Sequence, residues 1–466
     1  MRDYLTVTNP EDNSVVGDLE LQSAEDLEQI VDRAYTARKM WRDTPIHERA
    51  KILYKFSELI ETKYKKELAE LNSRELGKPI TQSYEECQEA ADIIRQTTER
   101  ALHLYGEVMT ESAPELENDL IYTKREPLGV IACITPFNFP LELTVHKAAP
   151  ALIMGNTIIV KAPSSNPLAT VKLGEILKEA GLPEDAAFFM GCKIGDYTEK
   201  VTRNPKIAAI CLTGSTETGI AIARESADTL KTLLFELGGN DGMIVFDDAD
   251  LDKVAEEMFA GRIYNNGQVC CATKRLIVHQ SIKDALTDKL IEKLKTFKAG
   301  SALDPDALIT TLVSEKAAKD VEEYINQTIA QGAKCVYGGK REGARIFPTV
   351  LTDVTKDMDI AQDMEIFGPV IPIIAFETEE EAIAIINNSK YGLSSGIMTK
   401  DLERAFRVSN SIESGATVLN GTGHYRHYDQ AFGGFKYSGI GREGISSSIE
   451  EYSQVKSFIL KGVLKR

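Results

Sequence analysis

From residue 128 onward, short apolar runs alternate with helix-like segments. GVIACITP, TIIVKAP, AAFFMGC, IAAICLTG and TLLFELGG follow one another, with stretches such as NPLATVKLGEILKEAG between them. A short apolar run bounded by turn residues reads as a strand buried on both faces, and its repetition with intervening helices builds a parallel, doubly wound sheet. A second α/β run extends from MIVFDD to about residue 420 and contains KRLIVHQ, CVYGG and VIPIIAF. Ahead of both, SAEDLEQIVDRAYTARKMW predicts a helix capped by Ser23, with Glu25 and Asp26 in the first turn where the helix dipole favours acids. A second helix is predicted from about His47, its stripe formed by Ile52, Phe56, Ile60, Tyr64, Leu68 and Leu71, with Gly77 and Pro79 ending it. The alternating segments NDLIYTKREP and EYSQVKSFIL have no partner in either α/β unit and are expected to form a protruding sheet. No repeat or long linker separates the units, so the 466 residues are expected to form two or three interleaved domains.

Charge narrows the function classes. A formal net charge of −17 repels nucleic-acid phosphates and anionic lipid surfaces, leaving only local basic pockets for anionic ligands. The expectation is no nucleic-acid partner. The N-terminal stretch MRDYLTVTNPEDNS has no apolar signal core, and LELTVHKAAPALIM carries Glu142, His146 and Lys147, so no membrane association is expected. The seven cysteines are odd in number and lack Cys-x-x-Cys spacing, which reads as reduced thiols in a cytoplasmic protein without a metal site.

Four segments carry candidate chemistry. In NNGQVCCATKR, the turn before Cys270 could expose its side chain and main-chain amide, as a catalytic thiol requires, although free cysteines such as Cys270 and Cys271 are more often buried packing. ITPFNFP places Asn138 just beyond an apolar strand, where a carboxamide could steady an oxyanion or merely make a turn. LTGSTETG sets Gly214, Ser215 and Gly219 at the mouth of a helix, suited to a pyrophosphate or to ordinary capping. FELGGND places Glu236 at a strand end, where a carboxylate could activate water.

Taken in this order and spacing, together with EIFGPV, NNSKYGLSSGI and FGGFKYSGIGREG, these segments resemble the aldehyde dehydrogenase superfamily over essentially the whole chain. The resemblance implies an α/β fold with a Rossmann-like cofactor domain (1–111 and 128–238), a catalytic domain (239–436) and a small β oligomerisation arm (112–127 and 450–462). It implies an NAD(P)-dependent enzyme with Cys270 as nucleophile and Cys271 as a bystander. The Cys270 main-chain N–H and Asn138 would bind the oxyanion, and Glu236 would activate the water that hydrolyses a thioester. A base there favours hydrolysis over transfer to coenzyme A.

By the same resemblance Lys161 would bind the adenosine ribose and Glu365 the nicotinamide ribose, with Phe367 beside the ring and Gly214, Ser215 and Gly219 near the cofactor. Lys147 has a weaker claim as a tuning residue. Ser164 stands where NAD-selective members often carry a glutamate, which removes repulsion against a 2′-phosphate and implies use of NADP as well as NAD, or a preference for it. His146, His424, Arg426 and His427 form a candidate cationic cluster for a short anionic, semialdehyde-type substrate, while Val269 lacks the arginine some phosphate-recognising relatives carry. A lactaldehyde-like or broad aliphatic enzyme is the alternative within the chemistry, and a non-catalytic binding protein the one outside it. A homodimer or homotetramer is expected.

Overall fold

The computed structural model describes residues 2–110 and 113–464. Its larger sheet runs, in spatial order, Tyr4–Thr8, Val15–Gln22, Ala187–Cys192, Thr157–Lys161, Val130–Ile134, Ile207–Thr213, Thr232–Glu236 and Gly439–Ile440. The five strands expected from the apolar runs are its parallel core. The chain turns back between Val130–Ile134 and Ile207–Thr213, so their carboxyl ends flank the switch point at which open α/β sheets bind ligands. Asn138 follows the first of these strands and Gly214 the second.

The smaller sheet orders Lys334–Tyr337, Thr349–Val354, Val370–Phe376, Arg275–His279, Gly242–Val245, Ser395–Met398 and Val418–Leu419. The three predicted runs MIVFDD, KRLIVHQ and VIPIIAF pair in parallel at its centre, and CVYGG is the antiparallel edge. A parallel centre needs both faces covered, and Ile244, Ile277 and Ile374 pack into one apolar cluster while Val245, Val278 and Ile373 pack into another. Leu120–Pro127 pairs with Ser453–Leu460 along its whole length, and Val108–Met109 adds a third antiparallel strand. Tyr122 and Phe458 stack across that small sheet at 4.9 Å. The domain edge expected at 111/112 lies outside the described residues. Among those residues no helix is long and apolar enough to cross a membrane.

The first helix begins as its sequence dictates: Ser23 accepts from the Asp26 N–H and Asp26 reaches back to the Ser23 N–H. The single helix expected from His47 to Gly77 is instead two, Ile46–Glu58 and Lys65–Leu76, joined by a π-turn over Leu59–Lys63. The Tyr64 N–H bonds the Leu59 carbonyl, one residue wider than an α-turn, and this keeps both Leu59 and Ile60 in the core. Gly77 ends the second helix in the left-handed region at φ 81°, where a glycine incurs no steric penalty.

A buried polar knot fixes the helix Glu142–Ile153 that follows Asn138. Lys78 and Glu86 are wholly buried and paired at 2.8 Å. Glu86 Oε1 also accepts from the Leu141 and Glu142 N–H groups at 2.8 and 3.2 Å, capping that helix, while Oε2 accepts from Asn72 at 2.8 Å. Glu86→Ala should cost about 3–5 kcal/mol, because it strands a buried ammonium and two orphan helix donors. The sole tryptophan, Trp41, is buried and donates to the Leu152 carbonyl at 3.0 Å, so urea unfolding followed by its fluorescence measures the loss.

Candidate active site

A cavity of about 260 Å³ opens between the two sheets' loops, lined by Cys270, Cys271, Glu236, Thr213, Arg426 and Glu443 at its inner end. Cys270 sits on a tight turn and is the partly accessible member of the vicinal pair, while Cys271 is buried at 7% exposure. That turn is prepared by three successive left-handed residues, Asn265, Asn266 and Gly267, with φ of 49°, 53° and 75°. Such conformations cost roughly 1–3 kcal/mol each for residues with a Cβ and persist only where neighbours hold them. Here they are held. The Asn265 N–H donates to Gln82 at 2.8 Å, and its side chain donates to the Asn138 carbonyl at 2.9 Å. Asn266 exchanges two hydrogen bonds with Thr310, and at Gly267 a Cβ would lie 2.4 Å from the Gly368 carbonyl oxygen.

The same loop orients Asn138. Its Nδ2 donates one hydrogen to the Gln268 carbonyl at 2.9 Å, which leaves the second amide hydrogen for another acceptor. Among the described residues the Cys270 main-chain N–H donates to no main-chain carbonyl. Two donors left free in this way, one of them on Cys270 itself, suit a tetrahedral oxyanion.

The Cys270 thiol is brought down to about 7, first by a hydrogen bond from Cys271, with burial opposing and the Lys274 and Arg426 cations assisting. Cys271 is driven the other way by that same contact and by burial. The pair therefore divides into one readily ionised sulfur and one that stays a thiol. Glu236 is held well above the usual carboxylate range, by burial and then by the neighbouring Glu443. Its Oε2 is buried without a partner, and a Cβ at position 433 would lie 2.9 Å from Oε1, so Gly433 leaves the carboxyl room. Behind it stands a buried charge relay: Lys147 donates to Thr213 at 2.6 Å and to Glu443 at 2.8 Å, and Arg426 donates to the other Glu443 oxygen at 2.8 Å. With two cations on one carboxylate, Glu443 is kept strongly acidic despite its burial.

On the opposite side lie the residues expected to meet a nucleotide. Lys161 ends its strand buried, and its ammonium makes only a 3.3 Å contact to the Ala162 carbonyl, so donors remain for ribose hydroxyls. Ser164 is exposed just beyond it. Ser215 caps the helix Thr216–Ser226 by accepting from the Thr218 N–H, and Gly214 precedes it, half-exposed. Glu365 accepts from the Gly239 N–H at 2.8 Å and Phe367 packs 6.1 Å from Phe137. A Cβ at Gly238 would come within 2.2 Å of the Glu365 carboxylate, so the glycine makes the cradle possible. These groups suit a dinucleotide: a helix N-terminus for pyrophosphate, and an ammonium and a carboxylate for two riboses.

Three sequence expectations need revision. Gly219 lies inside the helix against Leu237, where a Cβ would approach to 2.9 Å, so packing alone already calls for a glycine there. His146 does not line the cavity: its side chain is buried beside Glu142 at 3.8 Å and pushed down to about 3, because burial disfavours the imidazolium. His427 is exposed outside the cavity, its Nδ1 accepting from the Asp429 N–H. His424 and Arg426 do line it, but His424 lies 5.2 Å from the Tyr264 ring and burial drops it to about 4, leaving it neutral. Sequence reasoning passed over Glu443, inside the quoted GREG, and Lys274, four residues after the nucleophile. Neither buried charge announces itself by spacing. The acidic outer wall, Glu85, Glu89 and Glu142, was equally unforeseen, since its members come from two helices far apart in the chain.

Comparison with known proteins gives a consistent outcome. Residues 2–458 match the model of the aldehyde dehydrogenase family. The chain is 36% identical over 466 residues to the lactaldehyde dehydrogenase of Methanococcus aeolicus, covering 98% of this chain and 97% of the relative. It is 35% identical over 462 residues to the glutarate-semialdehyde dehydrogenase of Pseudomonas aeruginosa, covering 98% and 94%. Among solved structures, glyceraldehyde-3-phosphate dehydrogenase of Methanocaldococcus jannaschii, complexed with NADP, superposes with a TM-score of 0.94 at 32% identity over 99% of each chain.

Proposed function

The chain belongs to the aldehyde dehydrogenase family and is an NAD(P)-dependent aldehyde dehydrogenase; we propose that Cys270, Asn138 and Glu236 carry its reaction on a short aldehyde with an oxygen-bearing tail. The observation that carries this reading is a cavity lined by a readily ionised cysteine and an unpartnered buried carboxyl.

The Cys270 thiolate adds to the carbonyl carbon, and the oxygen gathers negative charge between the Cys270 main-chain N–H and the Asn138 amide. A nicotinamide dinucleotide held by Lys161, the Gly214–Ser215 turn and Glu365 supplies the hydride acceptor when bound. Once the carbon is oxidised, the acyl group remains on Cys270 as a thioester. Glu236 takes a proton from water, and the resulting hydroxide attacks that thioester to release the carboxylic acid. Burial raises the affinity of Glu236 for a proton, which makes it a stronger base once ionised; the negative Glu443 beside it acts in the same direction, while Arg426 and Lys147 favour ionisation.

The cavity wall bears on the substrate. With His146 and His427 elsewhere and His424 neutral, Arg426 is the one cation lining it among the described residues, and it is already shared with Glu443. Its Nε–H is buried without a partner, a donor that an oxygen on the substrate's tail would satisfy. Glu85, Glu89 and Glu142 complete the wall, and burial holds Glu89 above the usual carboxylate range and Glu142 up to about 8, so this side offers an anionic tail no cation to pair with. We therefore rank an uncharged hydroxyaldehyde ahead of the anionic semialdehyde. Arg426 and the relatives named for glutarate and succinate semialdehydes support the latter as a second reading. For the cofactor, exposed Ser164 supports NADP use, as do the NADP-bound relatives. Steady-state kcat/KM for lactaldehyde, succinic semialdehyde and propanal with each cofactor tests both points. Lactaldehyde should exceed succinic semialdehyde with NADP at least as effective as NAD; a clear lead for the semialdehyde would reverse the ranking, and failure of NADP would remove the role given to Ser164.

The arm sheet leaves Val455, Ile459 and Leu460 exposed, which supports a dimer or tetramer contact, and the seven free cysteines support a reducing, cytoplasmic location.

A further inference from the structure

Lys274 is almost wholly buried, its side chain 1% exposed, yet it belongs to no part of the reaction described above. Its ammonium donates to the main-chain carbonyl of Cys270, lies 3.3 Å from Glu365 Oε1 and stands 5.3 Å from the centre of the Phe367 ring. Its own main-chain N–H is pinned to the Asp241 carbonyl at 2.9 Å, so the stem has little freedom. Burying an ammonium is costly, and a methionine of similar length would pack there without that cost. The charge therefore has a use that packing does not explain.

We propose that Lys274 is a positioning residue shared by the nucleophile and the cofactor site: it fixes the Cys270 carbonyl, and with it the direction of the sulfur, while holding Glu365, so that occupation of the ribose site is felt at the nucleophile. This rests on the reading that Glu365 binds the nicotinamide ribose. A ribose hydroxyl bonding to Glu365 weakens the carboxylate's hold on the ammonium, and the freed charge then acts more fully on Cys270, four residues away along the same loop.

The groups that bear on the sulfur are few. Cys271 donates to it, Lys274 and Arg426 present positive charge and Glu365 negative charge, while Glu236 and Asp241 face it with burial holding both above the usual carboxylate range, Asp241 up to about 8. Removing Lys274 leaves Arg426 to offset Glu365 without help, whereas neutralising Glu365 removes that opponent.

The test uses the enzyme without substrate and reads alkylation of the Cys270 peptide by iodoacetamide from pH 5.5 to 9.5, by mass spectrometry so that exposed Cys335 does not interfere. Lys274→Met should move the midpoint upward by about one pH unit and slow alkylation at pH 7 about fivefold, while Lys274→Arg restores most of the rate. Glu365→Gln should move the midpoint downward. Saturating NADPH, whose ring carries no charge, should move the wild-type midpoint downward and leave that of Glu365→Gln where it was. An unchanged midpoint in folded Lys274→Met protein overturns the proposal, as does an equal NADPH shift in wild type and Glu365→Gln. Should Lys274→Met not fold, the Glu365→Gln and NADPH arms decide by the same criteria. Aldehyde-dependent formation of reduced cofactor by the wild type keeps the two readings apart: if turnover is present and the midpoints do not move, only the role of Lys274 falls.

Discussion

Cys270→Ala is expected to lower kcat/KM for any accepted aldehyde by roughly 10³-fold or more, with melting temperature and cofactor affinity close to wild type. The size follows from what is removed. The alanine deletes the sulfur proposed to bond the carbonyl carbon, and the second sulfur is a poor replacement, since the Cys271 thiol is driven well above its ordinary value and is buried. The fold should survive, because the strained turn is held by Gln82, Asn138 and Thr310 rather than by the sulfur. Cys271→Ala should lose far less, and its pH profile should move toward higher pH as Cys270 loses its strongest acidifying contact. The check is steady-state turnover of both variants beside thermal melts with and without NADP.

Glu236→Gln should be the second largest loss, roughly 10²- to 10³-fold in steady-state kcat, with a rapid first turnover retained. The amide preserves the shape of the carboxyl, so the room left by Gly433 and the pairing of its strand are untouched. What it cannot do is take a proton from water. Oxidation of the first aldehyde does not require that step, whereas hydrolysis of the thioester does. Stopped-flow absorbance should therefore show a burst approaching one reduced cofactor per active site, followed by a slow phase. An equal loss in burst and steady state would instead place Glu236 in the first half of the reaction.

Much of this was legible in the chain because buried parallel strands write themselves as uninterrupted apolar runs. All five core strands of the larger sheet stood out in that way, and the segments at their carboxyl ends led to the cavity, which Phe139, Thr213 and Glu236 line. Short-range capping was equally readable, as at Ser23. What escaped were features set by contacts between distant segments. The π-turn at Leu59–Lys63 keeps the apolar periodicity of a continuous helix, so pattern alone could not reveal the break. Nor could proximity in sequence show that GTGHYRHYDQ divides, with Arg426 turned onto Glu443 inside and His427 left outside. The carboxyl groups Glu85, Glu89 and Glu142 meet at the cavity only through the packing of the helices Ile80–Leu102 and Glu142–Ile153. The proposed substrate reading rests on those long-range contacts, which is why the chemistry was easier to read than its target.

The account stands most directly on the covalent step, and intact-protein mass after an acid quench measures it. Glu236→Gln, mixed with lactaldehyde and NADP and stopped after one turnover, should carry a stoichiometric acyl adduct that peptide mapping places on Cys270 and that hydroxylamine removes. Reduced cofactor formed in the same amount with no adduct on the protein, or with the adduct on another residue, would contradict it.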